Sequence, residues 1–550
     1  MKLFRKLTVL LLAFAVTAGS LAGCGGQNTP PASGTAMGTP AASEGSRNLD
    51  EGGVTRAEGL PITSEPVTIR AAVNFSTIMP DKDKTNIWKY VAEKTNLNFQ
   101  IDIYKESEKV DLMFASRDYP DLLMGVGIKG AQLANGAEAG DFVELESLLE
   151  QYAPTWNTFM KENKLVYNAS LAADGKLYSL PYIDFAPFDR NLRDQWIVME
   201  SWLGELGLTA PTTTEEFKNA LEQIKANAGK GTIPADVIPY YFFFDNYVGG
   251  QFDIYSSFGV YVTDGDYVFV DNGTVRDQST NPDIKEPLKY LRELYTQGLI
   301  PPEVFTDDWN TYVSKISSNP PVVGSYHSYA NRQPELATAM GPLDSGNGKT
   351  PYIRSQAYTP GPAHTAIITY VNKYPVATVR FFEEIAASTE MLLTVSRGTK
   401  GVVWDTNEQG KAYQLFWEES PDKMTEYSLD LGLHNSFIAL KDKNFYENVW
   451  EEISYSTVNS RAWAYDNVYK SKVMPNEMVY VGGALSADDT NLINQYRTDL
   501  ANYRKNMYAQ FITGKLDIDA QWDTFTKQMK ALGLDEFIKL KQKAYDVMIK

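Results

Sequence analysis

The sequence predicts an α/β fold, with a parallel sheet flanked by helices and a helix-rich C-terminal third. Apolar spacing indicates a strand at residues 67–73, a helix at 83–96 and a second strand at 99–103. Two strands joined by a helix at this distance are typical of a parallel sheet. In the last third, apolar residues recur at helical spacing over 493–511 and 522–532, which predicts helices packed on a core.

Capping and turn signals place further elements along the chain. A capping box at residues 213–216 predicts the start of one helix, Gly298 closes another, and Pro375 opens a third. Asn272 and Gly273, which follow an alternating strand, predict the turn of a β-hairpin. These elements agree with an α/β architecture.

The amino terminus has the layout of a bacterial export signal. Basic residues precede an apolar run at 7–18, which at about 1.5 Å per residue is too short to span a hydrocarbon core of about 30 Å. Residues 21–24, Leu-Ala-Gly-Cys, resemble the lipobox of bacterial lipoproteins. That resemblance implies cleavage before Cys24 and lipid on its thiol, which would anchor the chain at the outer face of the cell membrane. We predict a signal peptide at 1–23 and a flexible tether at 24–66, a stretch poor in large apolar residues.

The chain is acidic, with 51 basic and 69 acidic residues and a net charge of −18. Removal of residues 1–23 would leave 48 basic residues and a net charge of −21. This charge argues against binding to nucleic acid or to anionic lipid heads, both of which favour basic surfaces. Cys24 is the only cysteine, so core burial must stabilise the fold without an internal disulfide.

Common catalytic and metal-binding patterns are missing from the sequence. The three histidines, His327, His364 and His434, do not have the spacing of a zinc site. Residues 348–350 lack the glycine that a phosphate-binding loop needs five residues earlier. A calcium-like start at 405–410 lacks the glutamate needed at its twelfth position. We therefore expect no metal, no cofactor and no enzymatic activity.

Six separated segments, in the right order, resemble the extracellular solute-binding proteins of bacterial ABC importers, in the branch that binds carbohydrates and oligosaccharides. The segments lie at residues 115–121 (ASRDYPD), 174–181 (DGKLYSLP), 201–217, 294–300, 369–375 and 398–404. Two positions depart from the family, because Met199 and Ser201 stand where Arg and Asp are common. Residues 227–234 also lack the carboxylates of a calcium loop that many members carry, so calcium is not expected.

The resemblance implies a two-lobed fold of the type II periplasmic-binding-protein class, each lobe being a sheet flanked by helices. We expect lobe 1 to contain residues 67–183 and about 365–430, and lobe 2 to contain 184–364 and about 431–550. The ligand would bind in the cleft between the lobes, which close on it by a hinge motion. The permease membrane subunits would recognise this closed form, and the protein would act as a monomer.

A sugar site needs aromatic rings for the apolar faces of the sugar and planar polar groups for its hydroxyls. Asn74 and Phe75 follow the first strand at its carboxyl end, where open α/β sheets bind ligands. Asp118 follows an apolar run at 111–115, which is interpreted as the third strand. Each aromatic candidate could instead pack in a core, and Asp118 could instead cap a helix. The remaining candidates, expected in loops, are Trp309, Tyr326, His327, Ser328, Tyr329, Trp404 and Trp463.

The sequence leaves more than one function open. The leading prediction is a lipid-anchored solute-binding protein whose cargo is an oligosaccharide, with a single sugar, a uronate or a peptide as alternatives. The second is a surface-tethered glycoside hydrolase or lyase, because paired carboxylates are brought together by folding and cannot be recognised in a sequence. A signalling or adhesion protein on the same scaffold is the third.

Overall fold

The computed structural model describes residues 50, 53–74, 82–104, 107–185, 192–354, 365–416, 421–434, 437–451 and 458–549. The predicted signal peptide, Cys24, Phe75 and His364 lie outside these residues. Within the described part of the chain, the helices are too short or too polar to cross a lipid bilayer.

Sheet A contains the strands that the sequence predicted near residue 67. In spatial order its strands are Leu97–Tyr104, Val67–Asn74, Leu122–Met124, Ala366–Ile368 and Ser179–Leu180. The first three are parallel to one another, and the fourth is antiparallel to both of its neighbours. Helix Ile87–Thr95 joins the first two strands along the chain, which confirms the predicted strand–helix–strand unit.

Sheet B lies later in the chain and mixes parallel and antiparallel pairs. In spatial order its strands are Thr338–Met340, Gln195–Val198, Val323–Ser328 and Ile238–Tyr241. Val323–Ser328 pairs in parallel with Ile238–Tyr241 and antiparallel with Gln195–Val198. The strand Val323–Ser328 is buried along its whole length, so it forms the centre of this layer.

Smaller sheets and many helices complete the fold. The other paired strands are Tyr182–Asp184 with Ala439–Lys441, Val268–Asp271 with Thr274–Asp277, and Trp404–Thr406 with Ala412–Gln414 and Trp450–Glu451. The α-helices are Ile87–Thr95, Ser107–Ser116, Gly130–Glu138, Glu146–Tyr152, Pro154–Glu162, Lys164–Ser170, Glu200–Glu205, Thr214–Ala226, Phe252–Ser257, Lys285–Thr296, Trp309–Ile316, Pro375–Ala387, Thr389–Ser396, Pro421–Glu426, Arg461–Ala464, Ala487–Ile512, Ile518–Ala531 and Leu534–Ile549. Short 3₁₀ or π turns occur at Pro282–Ile284, Pro302–Phe305, Phe445–Val449, Tyr465–Tyr469 and Asn476–Met478.

Two large clusters of buried apolar side chains, core A and core B, pack on sheets A and B. Core A takes its residues from 62–185 and 366–450, whereas core B takes its residues from 192–353 and 464–544. The chain therefore passes between the two cores three times. Core A extends through residue 450, beyond the point near residue 430 at which we expected lobe 1 to end.

The local signals in the sequence are confirmed by the structure. Thr213 caps helix Thr214–Ala226, because its hydroxyl accepts the Glu216 backbone N–H at 3.1 Å and the Glu216 carboxylate accepts the Thr213 N–H at 3.2 Å. The hairpin turns at Asn272 and Gly273, both of which have the positive φ that a tight two-residue turn requires.

Two sequence predictions are wrong. Residues 107–116 form a helix rather than a strand, and the third strand is Leu122–Met124. The predicted tether is also too long, because Ile62 is fully buried in core A. In addition, the Asp50 carboxylate accepts the backbone N–H groups of Val376 and Ala377 in the first turn of helix Pro375–Ala387.

Replacing the capping threonine tests the link between the capping box and the stability of the fold. We expect Thr213→Ala to lower the free energy of unfolding by about 1 kcal/mol in urea denaturation, because an orphan N–H loses its acceptor. Thr498→Ala is the matched control, since Thr498 is exposed within a helix and its hydroxyl only donates to the Asn494 carbonyl. Equal losses in the two variants would contradict the capping role.

Candidate functional site

A buried cluster of charged side chains lies where the chain enters and leaves core B. The Arg354 guanidinium donates from Nε to Asp253 Oδ1 at 3.1 Å, and from Nη2 to the carboxylates of Asp253 and Asp194 at 3.0 Å each. All three side chains are buried. Asp194 also accepts the Gly249 N–H at 2.9 Å. Glycine suits this position, because its φ is positive and a Cβ would lie 2.9 Å from the Tyr312 ring.

His327 extends this cluster into sheet B. Its Nδ1 lies 3.1 Å from Asp253 Oδ2, and its Nε2 lies 2.8 Å from the Tyr240 hydroxyl. The Trp196 ring packs against the imidazole with centroids 4.8 Å apart. A neutral imidazole protonated on Nδ1 suits both polar neighbours, since its N–H then faces the Asp253 carboxylate and Nε2 accepts from the Tyr240 hydroxyl.

Burial and charge determine the protonation states in this cluster. Burial alone would raise the pKa of Asp253, but the charge of Arg354 and the nearby His327 outweigh burial and hold that pKa well below its usual range. Burial lowers the pKa of His327 below its ordinary value, although Asp253 acts in the opposite direction. At neutral pH the cluster therefore contains an ionised Asp253 paired with Arg354, with a neutral histidine beside them.

A group of aromatic rings lies beyond the carboxyl end of strand Ile238–Tyr241. Trp309 begins helix Trp309–Ile316 and is 39% exposed, while its ring packs 5.7 Å from those of Phe243 and Tyr312. The Tyr312 hydroxyl donates to the backbone carbonyl of His327, which connects the rings to the buried cluster. Half-exposed rings with fixed neighbours can stack on an apolar ligand face at little cost in side-chain entropy.

Tyr329 is the other exposed ring near the end of strand Val323–Ser328. It is 42% exposed, and the Arg461 guanidinium lies 3.9 Å from its ring centroid. Arg461 also donates to the backbone carbonyls of Tyr329 and Leu192. Arg461 therefore ties Tyr329 to the start of core B.

On sheet A the structure separates two of the predicted residues. Asn74 ends its strand at the carboxyl edge, as predicted, and its carbonyl accepts from Lys82 Nζ at 3.1 Å. Burial lowers the pKa of Lys82 to about 8. Asp118 is exposed and follows helix Ser107–Ser116, so it precedes its strand and does not share the edge occupied by Asn74.

Most of the aromatic candidates are not in loops, which corrects the sequence prediction. Tyr326, His327 and Ser328 lie in a buried strand, Trp309 and Trp463 lie in helices, and Trp404 begins a strand. Trp404 is buried in core A, where its indole N–H donates to the Gly398 carbonyl at 2.8 Å. Contact between these candidates and a sugar stays a prediction.

Sequence reasoning missed Phe243, Arg354 and Arg461. The aromatic run at residues 240–244 was a usable signal for Phe243, because its first two residues end a strand and the rest follow it. Nothing local marked the two arginines, whose partners lie about 100 to 270 residues away along the chain. Across the described residues, no three His, Cys, Asp or Glu side chains are grouped to hold a metal ion.

Comparison with known proteins gives relatives along the whole chain. The fructooligosaccharide ABC transporter substrate-binding protein FusA of Streptococcus pneumoniae is 26% identical over 99% of this chain and 98% of its own. This chain and FusA therefore align along nearly their full lengths. Lipoprotein LipO of Bacillus subtilis is 25% identical over 44% of this chain and 45% of its own. No family model matches the chain.

Solved structures of such proteins share the fold. FusA in complex with kestose has a TM-score of 0.74 and 23% identity, covering 87% of this chain and 99% of its own. An HMO-binding, ABC-transporter-associated solute-binding protein of Bifidobacterium longum infantis has a TM-score of 0.75 and 18% identity, covering 88% and 100%. The resemblance and the type II fold class predicted from the sequence are thus confirmed.

The neutral state of His327 predicts a specific dependence of stability on pH. Below about pH 6.5 the unfolded chain binds a proton at this histidine that the folded chain does not, so the free energy of unfolding falls as the pH decreases. We expect His327→Gln to reduce the loss of stability between pH 7 and pH 5 by about 1 kcal/mol, measured by urea denaturation at each pH. An unchanged slope in His327→Gln would contradict the assignment.

Proposed function

We propose that the chain is a lipid-anchored, extracytoplasmic solute-binding protein that captures an oligosaccharide and delivers it to the membrane subunits of an ABC importer. It acts as a monomer and without a chemical step, and the ligand lies in a cleft between the layers of sheets A and B. The observation that carries this proposal is the alignment with FusA along nearly the full length of both chains.

The cargo class follows from the relatives. FusA is named for fructooligosaccharide and has been solved with kestose, and the FusA sequence is more similar to this chain than that of the HMO-binding protein. We therefore propose short fructo-oligosaccharides as the ligands. Lipid on Cys24 holds the protein at the membrane, in keeping with the lipobox-like residues 21–24 and the similarity to a bacterial lipoprotein.

The exposed rings near sheet B suit such a ligand. Trp309 and Tyr329 each present a partly exposed ring, held by Phe243 and Tyr312 in one case and by Arg461 in the other. A rigid aromatic ring can cover the apolar C–H face of a sugar ring, while neighbouring polar groups bind its hydroxyls. We assign Trp309 and Tyr329 as the stacking residues on this side of the cleft.

The first experiment measures ligand binding and hydrolysis in the same samples. The purified mature chain is titrated with kestose, nystose, human milk oligosaccharides and fructose, with thermal unfolding and calorimetry as readouts. A ligand at 100 times its Kd should stabilise the folded state by about 2.7 kcal/mol. Hydrolysis of a sugar in the panel would contradict the proposal in favour of an enzyme, and the absence of any shift would contradict oligosaccharide binding.

Truncating one ring tests the stacking assignment. We expect Trp309→Ala to weaken oligosaccharide binding about tenfold, because burial of an aromatic face contributes about 1.5 kcal/mol. Tyr370→Ala is the control, since Tyr370 is another partly exposed ring, which contacts Tyr119 beside sheet A. Wild-type affinity in Trp309→Ala would exclude this ring as a platform.

Substituting the lipidated residue separates anchoring from binding. We expect Cys24→Ala to release the protein from the membrane fraction while its oligosaccharide affinity stays at the wild-type value, because the substitution removes the lipidated thiol and leaves the residues proposed for sugar binding unchanged. Fractionation with immunodetection measures the first property, and calorimetry measures the second. Loss of binding together with the anchor would show that the tether takes part in the site.

A further inference from the structure

A cavity of about 520 Å³ lies between the helices beside sheet A and the C-terminal helices of core B. One wall is the start of helix Gly130–Glu138, including Leu133, which packs against sheet A. The opposite wall comes from residues 480–497 and from helix Leu534–Ile549, which belong to core B. None of the residues proposed for sugar binding lines this cavity, so it is a separate site.

The charged side chains that line this cavity are all basic. They are Lys129, Arg497 and Lys541, and no acidic side chain is among the lining residues, although acidic residues outnumber basic ones in the chain. The hydroxyl of Thr490 and the amide of Asn494 also line the cavity. Lysine and arginine have donors but no acceptors, so this wall favours a ligand that is rich in acceptors.

The carboxylates that pair with these cations lie outside the lining. Lys541 is buried and donates to Asp264 at 2.6 Å and to Asp266 at 2.7 Å, and Arg497 donates to Asp266 at 2.8 Å. These pairs hold the two inner cations in place. Burial favours neutral Lys541, but the two aspartates outweigh burial and keep the pKa of Lys541 above its usual value.

Lys129 is the cation that can exchange its carboxylate partner for a ligand. Its Nζ lies 2.7 Å from Asp111, but both side chains are about half exposed, at 56% and 48%. An exposed ion pair of this kind contributes little to stability, so exchange of Asp111 for a ligand oxygen costs little free energy. The positive end of helix Gly130–Glu138 faces the same space and adds to the attraction for an anion.

We propose that this cavity binds a small oxyanion, such as the carboxylate of an acidic sugar or a phosphate group. Lys129 supplies the exchangeable charge, Arg497 and Lys541 supply fixed donors, and Asn494 completes the polar wall. Because one wall packs on sheet A and the other belongs to core B, the bound anion contacts both of them. This site is independent of the proposed oligosaccharide site.

Titration of the mature chain with sodium glucuronate and with inorganic phosphate tests the site. Glucose controls for the sugar ring, and sodium chloride at matched ionic strength controls for screening. At least one oxyanion should raise the melting temperature above the sodium chloride value, whereas glucose should not. An effect of glucuronate alone would identify an acidic sugar as the ligand, and an effect of phosphate alone would identify a phosphorylated one. Either outcome supports the site.

Two variants connect the effect to the cavity. Lys129→Gln should weaken anion binding about tenfold, the effect of losing one charge-assisted hydrogen bond. Lys176→Gln is the matched control, because Lys176 pairs with Glu144 at 2.6 Å with side-chain exposures of 51% and 46%. Ala173→Leu fills the cavity from an exposed position and should abolish binding.

Any one of three results would overturn the proposal. The first is a melting-temperature shift with the oxyanions equal to that in sodium chloride. The second is an equal effect of Lys129→Gln and Lys176→Gln on anion binding, and the third is undiminished anion binding in Ala173→Leu. Kestose binding is measured on the same samples. If kestose binds but neither oxyanion has an effect, this site alone is refuted. If an oxyanion binds but kestose does not, the proposed function alone is refuted.

Discussion

The contact between Arg354 and the carboxylates of Asp194 and Asp253 fixes the place where the chain enters and leaves core B. A buried guanidinium is tolerated only when its donors are satisfied, and here two carboxylates and the Tyr247 carbonyl accept from it. Asp194 lies just after the first passage between the cores, and Arg354 just before the second. Arg461, at the end of the third passage, donates to the carbonyl of Leu192. One small polar region therefore holds all three connections on the core B side.

Much of the fold could be predicted from the sequence because its signals are local. The capping box at residues 213–216 and the turn at Asn272 depend on neighbours within a few residues. Residues 107–116 were misassigned because a short apolar run fits both a buried strand and one face of a helix. The order of strands in sheet A could not be predicted, since it pairs residue 366 with residue 124 through contacts more than 240 positions apart along the chain.

Less of the candidate site than of the fold could be predicted from the sequence. Trp309 and Trp404 are the same residue type, yet one ring is partly exposed and the other is buried in core A with its N–H satisfied by Gly398. His327 was expected in a loop, but it lies in a buried strand and faces Asp253, 74 residues earlier in the chain. The sequence could indicate which residue types suit a sugar, but the exposure of each ring depends on partners that only the fold brings together.

Each core is built from segments that lie far apart along the chain, and this separation affects how the protein folds. Core A is incomplete without residues up to 450, and core B is incomplete without residues up to 544. Contacts so distant in sequence form slowly, since the intervening loop must close before they are made. A chain exported amino terminus first, as the predicted signal implies, would have more than four-fifths of its length across the membrane before either core could close. Until then its buried rings would be exposed to solvent, and the chain would depend on the high net negative charge to remain apart from its neighbours.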